Sequence, residues 1–292
     1  LDRFDLVHAN NFWCPPWRLR GSLIYTLYDM SFIEHPEWST AKNSKGCLKG
    51  MQRAAQYADG FVAISEATKQ AFLKHFPSIA PDKVQVIYPA SRFGQPGLHA
   101  KQKPPTNKIF KTGEPFFLCT GTIEPRKNKH FLLDVYHHYR TRGGLPIPLI
   151  LAGKQGWLMD DFNQRIAAST WARDIYNLDY VSDAELAWLY QNCLLNLYPS
   201  HYEGFGLPVL EGMHFGAPVI CSNTTSMPEI VGEAGILLRP DDLSGWVQAL
   251  ETLTSEPQLR KELQQASIAR AALFDWKRSA TQIRMFYAAV TD

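Results

Sequence analysis

The chain has 292 residues, 45% of them hydrophobic and 12% aromatic, with a formal charge of +2; this fits a globular protein of about two domains and excludes a nucleic-acid binder driven by bulk charge. No apolar run approaches the roughly 20 residues that a membrane-spanning helix needs. Five cysteines (Cys14, Cys47, Cys119, Cys193, Cys221) form no C-x-x-C pair and read as buried thiols of a reducing, cytoplasmic compartment, the last three within apolar strand-like runs. The opening residues, Leu1-Asp2-Arg3-Phe4-Asp5, lack an initiator methionine and a signal-peptide pattern, so the chain is expected to start inside a longer one.

Residues 4–9 and 23–27 are predicted as short apolar strands of a parallel sheet. The loop between them carries Trp13, Pro15, Pro16 and Trp17, and its tryptophans either stack on a bound ligand or pack. A helix is expected over 42–58 and a strand over 60–64; Ser65 then caps a helix through His75, and a strand follows over 84–88. Four strands in about 90 residues make a small sheet that leaves an edge and part of a face uncovered, so this domain is expected to be incomplete. Residues 91–113, rich in proline, glycine and lysine, are the expected linker. A second alternating layer follows, with strands over 116–120, 148–152, 175–178, 194–198, 218–221 and 235–238, the pattern of a doubly wound fold. Ser182-Asp183-Ala184-Glu185 has capping-box spacing and opens a helix to about Asn192. From Leu243 to Val290 the pattern is helical, broken near Phe274-Asp275-Trp276.

Ligands of open α/β sheets bind beyond the carboxyl ends of the strands, and three loops leave such ends with unusual chemistry. In Gly121-Thr122-Ile123-Glu124-Pro125-Arg126-Lys127-Asn128, Arg126 and Lys127 suit a pyrophosphate, one as a fork and one as a point charge; a solvated basic turn is the plainer reading. In Asp179-Tyr180-Val181-Ser182, backbone groups can read a flat base while Tyr180 or Val181 packs on its face, or the segment is an ordinary turn before a cap. The third loop is His201-Tyr202-Glu203-Gly204-Phe205-Gly206-Leu207-Pro208-Val209-Leu210-Glu211. Its glycines allow close backbone approach, a helix starts near Leu207 with Pro208 in its first turn, and free N–H groups at that start attract phosphate. Glu203 and Glu211 flank this anion site, which points to an anionic ligand with hydroxyls. Adjacent helical residues diverge by about 100°, so His137-His138 is not expected to chelate a metal. Asp160-Asp161 and Asp241-Asp242 are read as helix caps.

These segments, together with the run from Pro218 to Val231, resemble family 4 of the retaining glycosyltransferases, the group 1 glycosyl transferases of GT-B fold, over about residues 3–290. The Gly-Thr-x-Glu-Pro-Arg-Lys-Asn run is similar to that of a bacterial mannosyltransferase-like branch. The resemblance implies an α/β, GT-B architecture of two Rossmann-like domains. Residues 1–90 would form a partial acceptor-side domain, 91–113 a linker, 114–274 the nucleotide-sugar domain, and 275–292 a helix crossing back to the first. It implies that Arg126 and Lys127 hold the donor diphosphate beside Gly121 and Thr122, and that the amides of Gly206 and Leu207, after Gly204 and Phe205, contact a phosphate oxygen. It assigns Glu203 to the donor sugar and Glu211 to the ribose; Tyr180 and Val181, from the reading of their loop, are the candidates for the base.

With no Asp-x-Asp motif at a strand end, the implied transfer is metal-independent and needs no cofactor. The donor would be a nucleotide-diphosphate sugar, GDP-mannose by branch resemblance. The acceptor would be a glycan or a lipid-linked glycan at the inner face of the membrane, with peripheral membrane association. Two departures stand out: the family's glycine-rich donor loop lies upstream of Leu1, and Tyr28, before Asp29, replaces a frequent histidine at a sugar- or acceptor-contacting turn. An inactive fragment or nucleotide-sugar-binding module, and a GT-B sugar epimerase, are the alternatives.

Overall fold

The computed structural model describes residues 4–94, 102–106 and 113–291; most of the expected linker, 95–101 and 107–112, lies outside the described residues. The chain divides into two compact units. The first combines the residues up to Ala90 with Glu203–Phe205 and the segment from Phe274 onward; the second combines Ser91–Tyr202 with Gly206–Leu273.

In the first unit, strands β1 (Leu6–Ala9), β2 (Ser22–Leu27), β3 (Gly60–Ala63) and β4 (Val84–Val86) pair in that order, all parallel. Helices α1 (Ser31–Glu34), α2 (Ala41–Tyr57) and α3 (Glu66–His75) belong to it. Thr40 caps α2 through Asn43 N–H and Ser65 caps α3 through Thr68 N–H, which fixes where each helix starts. Alternation along β2 sends Leu23, Tyr25 and Leu27 to one face, where they pack with Met51, Ala54, Phe61 and Phe72. Ile24, Val62 and Ile87 occupy the other face and are covered by Ile283, Phe286, Tyr287 and Val290 of the C-terminal helix, Trp276–Thr291. The face that residues 1–90 alone would leave bare is therefore supplied with a cover from the far end of the chain. β4 is shorter than expected: after Ile87 N–H donates to Ala63, Tyr88 leaves the sheet and sets its ring against Phe205 and Phe274. Trp13 and Trp17 do not pack away, since each is more than half exposed.

The second unit has six parallel strands, β5 (Phe117–Thr120), β6 (Leu149–Ala152), β7 (Ile175–Asn177), β8 (Leu195–Tyr198), β9 (Val219–Ser222) and β10 (Gly235–Leu238). Their order is β10-β9-β8-β5-β6-β7, so the winding reverses between β5 and β8. Its helices are α4 (Lys129–Thr141), α5 (Phe162–Ala167), α6 (Asp183–Asn192), α7 (Leu207–His214), α8 (Met227–Val231), α9 (Leu243–Ser255) and α10 (Pro257–Ala271). The capping box at Ser182 and Glu185 forms in both directions. Asp242 caps α9 through Gly245 N–H, but Asp161 makes no side-chain cap; it lies 3.4 Å from His130 instead. The helical run after Leu243 breaks a second time, at Pro257, whose ring cannot continue a helix. All five cysteines are free and buried, with Cys193 at the end of α6 rather than in a strand. Among the described residues no helix is long and apolar enough to cross a membrane.

Candidate active site

The reversal between β5 and β8 opens a crevice beyond their carboxyl ends, and the loops that leave these two strands are the ones with the unusual residues. After β5, Pro125–Lys127 forms one 3-10 turn and Asn128 closes it in the left-handed region at φ 54°. The Asn128 amide donates to the carbonyls of Pro199 (3.1 Å) and Pro240 (2.9 Å), which holds the turn in place. Lys127 is buried, and its Nζ donates to the Tyr198 hydroxyl at 2.7 Å. Arg126 donates to the Tyr202 carbonyl (2.8 Å) and to the buried Glu124 carboxylate (2.7 Å). The β8 loop is tied to the same turn, because His201 N–H and Ser200 Oγ both donate to the Arg126 carbonyl.

Helix α7 starts at Gly206, whose φ of +105° suits a residue without Cβ; a Cβ there would also fall 2.0 Å from Met227 Cε. No side chain caps this start, so the positive end of the helix dipole sits at Gly206 and Leu207. Just before it, Glu203–Phe205 belongs to the first unit. There the Gly204 carbonyl accepts from Ser65 Oγ (2.6 Å) and Thr68 Oγ1 (3.1 Å), and a Cβ on Gly204 would lie 1.9 Å from the Tyr28 carbonyl oxygen. Gly204 is thus brought against Tyr28 and Asp29, with the buried Glu203 (6% exposed) next to it in the chain. Asp29 Oδ1 accepts from Ser31 N–H and Oγ, and burial raises the Tyr28 hydroxyl above its ordinary pKa.

Within the second unit, Gly121, Thr122, Tyr180, Val181 and Glu211 line a single cavity of about 350 Å³, the scale of small-molecule sites. Arg126 and Lys127 stand on the loop beside it but outside its lining. Tyr180 is 66% exposed at the rim, with Lys154 Nζ 4.8 Å from its ring centroid. Glu211 lies at the buried end, 7% exposed. Its carboxylate meets Arg92 Nε at 3.0 Å and accepts from the Tyr190 hydroxyl at 3.3 Å. Arg92 also pairs with Asp183 at 2.8 Å, and the Tyr190 hydroxyl lies 2.9 Å from Thr120 Oγ1. Burial pushes the Glu211 carboxyl up to about 7 against the opposing pull of the Arg92 cation. A carboxyl poised there can accept hydrogen bonds from neutral hydroxyls without holding a permanent full charge in the interior.

Arg92, Asp183 and Tyr190 were not among the expected site residues. Arg92 stands where the sequence reads as linker, and Tyr190 lies unremarked within the helix expected from Ser182 to about Asn192; neither carries a local signal. Only the pairing of β5 with β8 brings Thr120, Tyr190 and Glu211 together.

Two family models match the chain: "Glycosyl transferases group 1" over residues 101–270 and "Glycosyltransferase Family 4" over residues 1–90. The chain is similar to O-antigen chain mannosyltransferase B of Escherichia coli, 31% identical over 95% of this chain and 72% of that protein. It is 29% identical to the serotype-specific mannosyltransferase WbdA of Escherichia coli over 79% of this chain, a match that spans only 29% of that longer protein. Among solved structures, that of Anabaena Alr3699/HepE in complex with UDP-glucose superposes with a TM-score of 0.74 at 22% identity, covering 92% of this chain and 73% of that one.

Proposed function

The chain belongs to the group 1 glycosyl transferases, and on that premise we propose that it moves a hexose, best matched to mannose, from a nucleotide-diphosphate sugar to a glycan or lipid-linked acceptor, with retention and without a metal. The observation that carries this reading is the cavity at the β5–β8 reversal, which joins a buried hydroxyl acceptor, Glu211, to the Gly121-Thr122 loop next to two cations. Two mannosyltransferases among the relatives favour mannose, and GDP-mannose is the proposed donor.

In this reading Tyr180 and Val181 hold the base, Glu211 the ribose, and Glu203 the hydroxyls of the donor sugar. Arg126, Lys127 and the amides of Gly206 and Leu207 take the diphosphate, whose charge grows as the glycosidic bond breaks. Fixed cations and a helix start stabilise that growing charge without having to reorganise. The acceptor hydroxyl attacks from the face of the departing diphosphate, which takes its proton, so neither Glu203 nor Glu211 becomes a covalent nucleophile. Action at the inner face of a membrane, by peripheral association, is part of the same proposal.

The test offers GDP-mannose and UDP-glucose separately with a mannose-terminated glycan, following released nucleoside diphosphate and the one-bond C1–H1 coupling at the anomeric carbon of the product, which differs between α- and β-mannosides. The expected outcome is turnover with GDP-mannose and an α-linked product. Nucleotide binding without turnover would reduce the chain to a nucleotide-sugar-binding module, and a β-linked product would overturn retention.

A further inference from the structure

Lys129 is the first residue of α4 and has no exposed surface at all. It stands on the buried face of that helix with Leu132, Leu133 and Tyr136, at a spacing where an apolar side chain is expected. A buried ammonium is costly unless it is paired and hydrogen-bonded, and burial lowers the pKa of Lys129. Among the described residues no carboxylate forms an ion pair with it; its one hydrogen bond, 2.5 Å, runs to the carbonyl of Gly121. A side chain that breaks the pattern of its own helix without an ion partner points to a task beyond folding.

The bond it makes indicates the task. Gly121 N–H donates to the Ala152 carbonyl and Ile123 N–H to the Lys154 carbonyl, each at 2.9 Å, but the N–H between them, that of Thr122, has no partner among the described residues. Because a trans peptide is planar, the Thr122 N–H leaves the peptide on the edge opposite to the Gly121 oxygen. Holding that oxygen from the core side therefore fixes the direction of the Thr122 N–H, and Thr122 lines the cavity. We propose that Lys129 is a positioning residue of the donor site: its buried ammonium locks the Gly121–Thr122 peptide so that the Thr122 N–H is presented as a ready donor to a phosphate oxygen. This rests on the reading of the cavity as a nucleotide-diphosphate site. Lys129 touches no substrate; it acts through the peptide it holds.

Lys129→Met keeps length and burial while removing the ammonium. The variant is expected to lose about tenfold in affinity for UDP and GDP, while uridine and guanosine bind within about twofold of the unaltered protein. Its thermal midpoint is expected to stay or rise, since an apolar side chain replaces a buried charge. A fold defect alone would weaken nucleoside and diphosphate binding together. Wild-type affinity of the folded variant for both diphosphates would overturn the proposal. Should Lys129→Met not fold, the unaltered chain labelled with 15N-threonine is titrated with inorganic pyrophosphate, the Thr122 signal being assigned by its loss in Thr122→Ser. A downfield shift of the Thr122 amide supports the presented donor, and an unmoved amide overturns it. If the unaltered protein binds none of these anions, the reading of the cavity itself fails, which is a different result from a Lys129 variant that binds them normally.

Discussion

Glu211 stands under two opposed influences: burial favours its neutral form and the Arg92 guanidinium its charged form, with burial dominant. The sign of the consequence follows directly. A carboxyl whose pKa is higher in the folded chain than its ordinary 4.5 binds protons more tightly when folded, so it contributes stability below about pH 4.5 that is lost as pH rises toward about 7. The contribution is on the order of 3 kcal/mol. Glu211→Gln should flatten the pH dependence of the thermal midpoint across that interval, and an unchanged slope would remove Glu211 as its source. For binding, Glu211→Ala should weaken nucleotide affinity by about 2 kcal/mol, read by calorimetry. The double change Arg126→Ala with Lys127→Ala should act on the other end of the ligand, reducing diphosphate affinity far more than nucleoside affinity; equal losses would indicate a folding defect.

At the level of elements, the segment Glu203–Phe205 is held by α3 rather than by its own neighbours in sequence. Ser65 Oγ caps that helix and donates to the Gly204 carbonyl, and Gly204 lies so close to the Tyr28 carbonyl that a methyl group has no room. Ser65→Ala should cost about 1–2 kcal/mol in urea unfolding, and Gly204→Ala more, because backbone must move. A Gly204→Ala variant as stable as the parent would show that this contact does not constrain the loop. These are also the places where sequence and structure agree or part. The capping residues Ser65 and Ser182, the strands of both sheets and the start of α7 were legible, because each depends on residues within one turn of one another. The short α1 was not, since Ser31–Glu34 has too few residues to show a period. Nor was the engagement of Asp161 with His130, which depends on a neighbouring helix rather than on its own. Glu211 could be singled out through its motif, but its partners could not: Arg92 is 119 positions upstream by numbering and acquires meaning only when folding sets it beside α7.

For the whole molecule, the order of the strands accounts for the site better than any one motif, because the reversal between β5 and β8 is what opens the crevice that Gly121, Thr122 and Glu211 line. All residues lining that cavity come from the second unit. The first unit owes one face of its sheet to Ile283, Phe286, Tyr287 and Val290, and His8 meets both the Tyr287 hydroxyl (2.6 Å) and Thr26 Oγ1 (2.7 Å). Loss of apolar cover on that face should therefore weaken the first unit and leave nucleotide binding intact. Phe286→Ala, which removes a half-buried ring, should cost about 2 kcal/mol, seen as faster amide exchange in β2 and β3. Its affinity for UDP or GDP should stay within about twofold of the parent. A loss of nucleotide affinity that parallels the loss of protection in β2 and β3 would mean that the nucleotide site depends on the first unit, and the assignment of that site to the second unit alone would fall.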